Sequence, residues 1–253
     1  MNEKLKNIVE ESYLLFGKYR ANLPLDVCTE CCMTKSQETE LVSLDVKQIP
    51  FELLYEYNTA AKTAHPDLEE FKHFLPRFIE LTSELKLLHH SAELVLNRFD
   101  YYKESDWSGD EKELLQLFAE ELFEYVLSVY PIPESERIDA VLIMLAKTKV
   151  DILKVLNRWG SVKSHSSVLH LSDLYYNGFS GDTHTKLSSP FADEALSSKV
   201  SNWLKEAYFL VELEPQIEDI IMNPKEIGEW KLNELNWTYV KLNELKYKME
   251  ALN

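Results

Sequence analysis

Glycine, positive charge and long apolar runs are all scarce in this chain of 253 residues. Its six glycines are too few for a turn-rich β architecture, and they disfavour the glycine-rich loops that bind phosphates. The longest unbroken apolar run, at residues 140–146, is too short to cross a bilayer. Acidic residues number 43 against 27 basic ones, so the net charge is −16. This charge argues against nucleic acid and anionic membrane surfaces as partners, because both are bound largely through Lys and Arg.

Cysteine is also rare, and no export signal is visible at the start of the chain. The segment at residues 1–11 has no apolar signal-peptide core, so we expect a cytoplasmic protein with reduced thiols. Three cysteines are an odd number, which argues against a closed framework of disulfides.

Apolar residues recur at helical spacing along most of the chain, whereas strand-like alternation is nearly absent. The pattern predicts about nine or ten helices, separated by brief breaks at proline or glycine. Successive helices with short connections pack antiparallel, so we expect an all-α fold of helical hairpins, loosely HEAT-like, without a clean repeat period. We expect a single domain over residues 1–253, and the turn-rich loop at residues 177–190 is where it would subdivide.

The stretch at residues 71–81 is a strongly apolar helical run. Pro76 lies within it and predicts a kink or a split, because proline removes a backbone donor and its ring clashes with the preceding turn. We expect Phe74 and Phe78, together with Trp159, to be core residues.

The cysteines Cys28, Cys31 and Cys32 lie close together in the sequence, and Cys28-x-x-Cys31 has the spacing at which two thiolates share a zinc ion. A structural zinc site needs four ligands, so Cys32, His65 or His73 would have to complete the set. The simpler interpretation is a group of idle or buried thiols that binds no cofactor. A redox role is disfavoured, because no strand–helix thioredoxin pattern surrounds the pair.

Linear catalytic motifs are absent from the sequence. It contains no G-x-S-x-G elbow, no P-loop, no G-x-G-x-x-G and no H-E-x-x-H. We therefore expect a protein without enzymatic activity.

Negative charge is concentrated between Glu104 and Asp139, where eleven acidic residues accompany only Lys112 and Arg137. The carboxylates expected on the polar side of one helix there are Asp110, Glu111, Glu113, Glu120, Glu121 and Glu124. The residues expected on its inward face are Leu114, Leu117, Phe118 and Leu122. We interpret the acidic side as a docking surface for a basic protein, and a merely solvated helix face is the simpler alternative.

The loop at residues 177–190 offers a second candidate contact region. Long turn-rich loops on rigid scaffolds often carry binding residues, and here Asp182 and His184 are the candidates.

Four short segments carry a resemblance to known proteins. They are the cysteine segment, the run His73-Phe74-Leu75-Pro76-Arg77, and the stretches at residues 153–159 and 200–204. Together they resemble a widespread family of uncharacterised bacterial proteins over roughly residues 20–215, which implies a bacterial cytoplasmic protein of no assigned activity. In composition and class the chain also resembles immunity proteins that neutralise antibacterial toxins.

The leading expectation is thus a non-enzymatic interaction protein of the immunity type, which neutralises a toxin domain through an acidic surface. The alternative is a zinc-binding module or an enzyme centred on Cys28, Cys31, Cys32 and His73.

Overall fold

The computed structural model describes residues 1–62, 66–180, 184–206, 210–224 and 227–250, with side chains described except at 210–212 and 245–250. Within these ranges the chain forms eleven α-helices, several short 3-10 turns and no strand. An isolated antiparallel bridge joins Phe179 to Leu187. The prediction of an all-helical fold is confirmed for the described residues.

Most connections between successive helices are of ten residues or fewer, whereas those at residues 17–34, 84–108 and 178–193 are longer. In chain order they are α1 (Glu3–Phe16), α2 (Lys35–Ser43), α3 (Phe51–Thr59), α4 (Leu68–Ser83), α5 (Gly109–Leu127), α6 (Ile138–Lys147), α7 (Ile152–Asn157), α8 (His165–Asn177), α9 (Glu194–Glu206), α10 (Leu210–Met222) and α11 (Glu229–Glu250). None of the described helices combines the length and the apolarity that crossing a membrane requires.

Polar side chains cap several helix starts. The Asn2 side chain accepts a hydrogen bond from the N–H of Leu5, and Thr34 forms a capping box with Gln37. The Asp67 carboxylate accepts from two backbone N–H groups at the start of α4. Each cap satisfies donors that the first helical turn leaves without an intrahelical partner, which fixes where the helix begins.

The internal contacts of the chain divide it into two compact units. The first comprises residues 1–121 and 147–150, and the second comprises residues 122–146 and 151–253. The division falls within α5 and near the end of α6, whereas the loop at residues 177–190 belongs to the second unit. That the whole chain behaves as a single domain stays a prediction.

The first unit is built around α4, against which α1 packs. Phe71, Phe74 and Phe78 on α4 are fully buried, and Tyr57 of α3 meets Phe74 edge-to-face at a centroid distance of 4.9 Å. Phe74 and Phe78 are therefore core residues, as predicted. Pro76 does not split α4, because it is itself buried and the surrounding packing outweighs the hydrogen bond that its missing N–H removes.

The second unit has Trp159 in its core. The Trp159 ring is fully buried between Phe123 and Trp203, with centroid distances of 5.5 and 5.4 Å. Its Nε1–H donates to the Ser167 carbonyl at 3.0 Å, so the indole is satisfied as well as buried. The prediction of Trp159 as a core residue is confirmed.

Candidate functional site

Glu111 lies inside the first unit and not on an exposed acidic face. It is fully buried, and its carboxylate accepts hydrogen bonds from Lys72 Nζ at 2.8 Å, Tyr19 OH at 2.6 Å and the Ser108 N–H at 2.9 Å. Burial alone would raise the pKa of Glu111, but the hydrogen bonds from Lys72, Tyr19 and Ser108 outweigh burial and lower it. The placement of Glu111 in a partner interface is therefore corrected: it is one half of a buried ion pair.

The other α5 carboxylates differ in their accessibility. Glu121 is buried and pairs with Lys4 at 3.2 Å. Glu120 is partly buried and accepts from the Gln116 side chain at 2.9 Å. Glu124 is partly buried and lies 3.7 Å from the Arg158 guanidinium.

Only Asp110 and Glu113 of the six predicted carboxylates are exposed. The exposed acidic face of α5 is therefore smaller than predicted, because this helix buries side chains on several sides. Glu111 and Glu121 are buried, as are Leu114, Leu115 and Phe118 of the same helix.

Asp110 and Glu113 line a groove of about 480 Å³ between α1 and α5, which we call the α1–α5 groove. Its lining residues are Glu11, Leu14, Leu15, Asp110, Glu113, Leu114 and Leu117. Leu14 is 84% exposed and Leu117 is 42% exposed. The prediction that Leu117 faces inward is therefore wrong, because α5 turns this position toward solvent. The groove combines apolar side chains with three carboxylates.

The cysteine cluster, formed by Cys28, Cys31 and Cys32, lies in the same unit. Cys31 Sγ is 3.5 Å from both Cys28 Sγ and Cys32 Sγ, and all three sulfur atoms lie within 4.8 Å of one another. The Cys28 N–H donates to the Ala61 carbonyl at 2.7 Å, and the Met33 N–H donates to the Cys28 carbonyl at 3.1 Å. These backbone bonds hold the segment in the turn that brings the thiols together.

The cluster has the spacing of a thiolate metal site. With Zn–S bonds of about 2.3 Å, tetrahedral geometry places ligand sulfurs about 3.8 Å apart. Backbone N–H groups of Glu30 and Cys31 lower the pKa of the Cys28 thiol, whereas hydrogen bonding with Cys32 raises the pKa of the Cys31 thiol to about 11. The Cys28 thiol therefore loses its proton more readily than the Cys31 thiol does.

His73 does not belong to the cysteine cluster. Among the described residues, the three cysteines alone make up the group of potential ligands at this place. His73 Nδ1 instead lies 3.1 Å from the Tyr19 carbonyl, and burial lowers the pKa of the imidazole. The proposed metal ligand His73 is corrected on this ground. His65, the other imidazole considered, lies outside the described residues.

The loop after α8 contributes to a cavity of about 510 Å³ in the second unit. Asp182 lies outside the described residues. His184 Nε2 donates to the Tyr175 carbonyl at 2.9 Å, and its ring stacks on the Tyr175 ring at a centroid distance of 4.1 Å. The residues that line this aromatic cavity are Tyr176, Phe179, His184, Trp230, Asn233, Glu234 and Trp237. The sequence placed His184 at a contact region without indicating the aromatic residues around it.

Comparisons of the chain with protein families, with curated proteins and with solved structures find no match. The resemblance drawn from the cysteine segment and the run at His73 stays a prediction. The α1–α5 groove, the cysteine cluster and the aromatic cavity are therefore interpreted from their own geometry.

Proposed function

We propose that the protein is a non-enzymatic interaction protein that binds a basic, amphipathic segment of a partner in the α1–α5 groove. The observation that carries the proposal is the exposure of Leu14 and Leu117 among the carboxylates of Glu11, Asp110 and Glu113. A partner segment with apolar side chains on one face and Lys or Arg beside them complements both features.

The two kinds of side chain have different parts in this binding. Burying an exposed leucine stabilises a complex by roughly 1.5–3 kcal/mol, so Leu14 and Leu117 would supply affinity. Carboxylates at the rim act mainly on the rate of encounter, so Asp110 and Glu113 would steer a cationic partner. An amphipathic helix laid into an apolar groove is a recurrent way of combining the two effects.

For the partner, the cellular compartment and the scaffold, we propose what the sequence led us to expect. The likeness to immunity proteins makes a basic toxin domain in a bacterial cytoplasm the partner that we propose. The scaffold that we propose is a HEAT-like set of antiparallel hairpins, and it is supported by contacts between consecutive helices, α2 with α3 and α10 with α11.

The charge contribution is tested with a synthetic amphipathic peptide of lysine and leucine as the probe. Neutralising the rim in Asp110→Asn/Glu113→Gln should slow association several-fold at low salt and flatten its salt dependence, since steering is screened by ions. The matched control is Glu52→Gln/Glu56→Gln, which removes two exposed carboxylates of α3 in the same unit. Stopped-flow kinetics would contradict the proposal if both double variants associated at the same rate.

A second function, metal binding, is favoured by the sulfur spacing of the cysteine cluster. We propose that Cys28, Cys31 and Cys32 bind a zinc ion through their thiolates. Three protein ligands leave a fourth position for water or for a ligand from elsewhere. Soft thiolate ligands suit zinc and exclude magnesium or calcium, which prefer oxygen.

Metal analysis of the purified chain tests the zinc proposal. We expect about one zinc ion per chain, and the loss of most of it in Cys31→Ser, because two thiolates hold zinc far less tightly than three. Ser43→Cys adds an exposed thiol elsewhere and should leave the zinc content unchanged. Zinc that is absent from the wild type, or retained in full by Cys31→Ser, would show that the thiols are idle.

A further inference from the structure

The aromatic cavity of the second unit exposes ring surface that a folded chain usually covers. Trp230 is 65% exposed at its rim. Trp237 stands edge-to-face against Tyr176, with a centroid distance of 5.3 Å and an interplanar angle of 83°. Exposed apolar surface gathered around a concavity, unlike single scattered side chains, is typical of a binding site.

The cavity also contains a buried negative charge. Glu234 is 3% exposed and lines the cavity. Its Oε1 accepts from Lys231 Nζ at 2.9 Å and from Ser172 Oγ at 3.2 Å, whereas its Oε2 is buried without a hydrogen-bond partner among the described residues. A buried carboxylate oxygen without a partner is costly and needs an explanation.

The neighbouring charges do not cancel that of Glu234. Lys231 is the cation beside it, and Lys231 also forms an ion pair with Asp173. One ammonium, which also lies 6.0 Å from the centroid of the Trp230 ring, thus serves two carboxylates, so the three groups together carry one net negative charge. A net negative charge beside the cavity favours a cationic ligand.

We propose that the aromatic cavity binds a small organic cation that carries a methylated ammonium group. The faces of Trp and Tyr rings attract such a cation electrostatically without needing hydrogen-bond donors from it. Its methyl groups make apolar contact with the rings, and Glu234 supplies the opposite charge. The proposal concerns the second unit and is independent of the α1–α5 groove.

The same features explain why an unmethylated ammonium is disfavoured. A primary ammonium is a compact and strongly hydrated charge, and it must exchange its water for hydrogen-bond acceptors. Phe179, Trp230 and Trp237 of the lining have no hydrogen-bond acceptor that could replace this water. His184 has a supporting part, because its hydrogen bond to the Tyr175 carbonyl and its stacking on the Tyr175 ring fix its imidazole at the cavity.

Isothermal titration of the full chain with choline tests the proposal. Choline should bind at one site per chain, and ethanolamine, its unmethylated counterpart, should bind about tenfold more weakly. The neutral analogue of choline, in which carbon replaces nitrogen, should be weaker by a similar factor. Equal binding of choline and the neutral analogue would reduce the cavity to an apolar pocket and overturn the proposal, as would the absence of choline binding. A trimethyllysine peptide that binds tenfold more tightly than choline would overturn the assignment to a small molecule.

Variants locate the binding in the cavity. Trp230→Ala removes an exposed ring and should weaken choline binding about tenfold. The matched control is Phe191→Ala, since Phe191 is 45% exposed in the same unit and does not line the cavity. Glu234→Gln keeps the shape and the Oε1 acceptor and should also weaken binding, because it removes the charge. Unchanged choline binding in Trp230→Ala, or an equal loss in Phe191→Ala, would contradict the proposal even if Glu234→Gln failed to fold.

Discussion

Glu70 occupies a buried polar position in the core of the first unit. Its Oε1 accepts from Tyr57 OH at 2.8 Å, and its Oε2 accepts from the Asp26 N–H at 2.9 Å. Burial raises the pKa of Glu70 to about 7, although these hydrogen bonds and the nearby Arg98 favour the carboxylate. Protonation of the Glu70 carboxylate is therefore more favourable in the folded chain than in the unfolded chain.

This shift predicts a pH-dependent stability. The unfolded pKa of glutamate is about 4.3, so the folded pKa is raised. The resulting stabilisation is complete below the unfolded pKa and is lost as the pH rises through about 7. Glu70→Gln mimics the protonated form at every pH. Its free energy of unfolding, compared with that of the wild type, should rise by up to about 3 kcal/mol between about pH 5 and pH 8.

Urea denaturation at several pH values measures this difference. Glu52→Gln alters an exposed carboxylate and serves as the control, for which no such trend is expected. A gap between Glu70→Gln and the wild type that stays constant with pH would show that Glu70 is ionised throughout.

At the scale of single elements, α4 was predictable because its signals are local. Asp67 opens the helix, and Phe71, Phe74 and Phe78 recur at helical spacing on its buried side. Pro76 does not split the helix, whereas the kink that it also predicts stays a prediction. Local propensity disfavours proline inside a helix, but the packing of a buried element can override it.

The α5 helix shows where sequence reasoning stops. Its existence and its start follow from an acidic first turn and apolar periodicity. The burial of Glu111 could not be predicted from such local signals, because its partner Lys72 lies 39 positions earlier in the chain and belongs to another helix. Likewise, no local pattern reveals that Leu14 of α1 and Leu117 of α5 share one groove.

The two remaining sites were predictable to different degrees. The cysteine cluster was visible because its members lie within five positions, so that one turn brings them together. The aromatic cavity combines Tyr176 of α8 with Trp230 and Trp237 of α11. Residues so far apart in the sequence meet only through tertiary packing, and this explains why, of the residues that line the cavity, the sequence indicated His184 alone.

At the scale of the whole molecule, the chain has two compact units, a net charge of −16 and three separate candidate sites. The first unit contains the α1–α5 groove and the cysteine cluster, and the second contains the aromatic cavity. The general negative charge would attract any cationic peptide weakly. A specific interaction in the groove must therefore be separated from this background through its apolar part.

The most direct measurement is the affinity of the lysine–leucine peptide for Leu14→Asp and Leu117→Asp. Each change adds a negative charge, so a purely electrostatic attraction would become stronger. If the leucines are buried in the complex, the dissociation constant should instead rise by about tenfold or more. Leu153→Asp is the matched control, because Leu153 is 42% exposed, as Leu117 is, and lies outside the groove. The control Leu153→Asp should bind the peptide as tightly as the wild type or more tightly. If Leu14→Asp and Leu117→Asp both bound it in the same way, the proposed function would be contradicted.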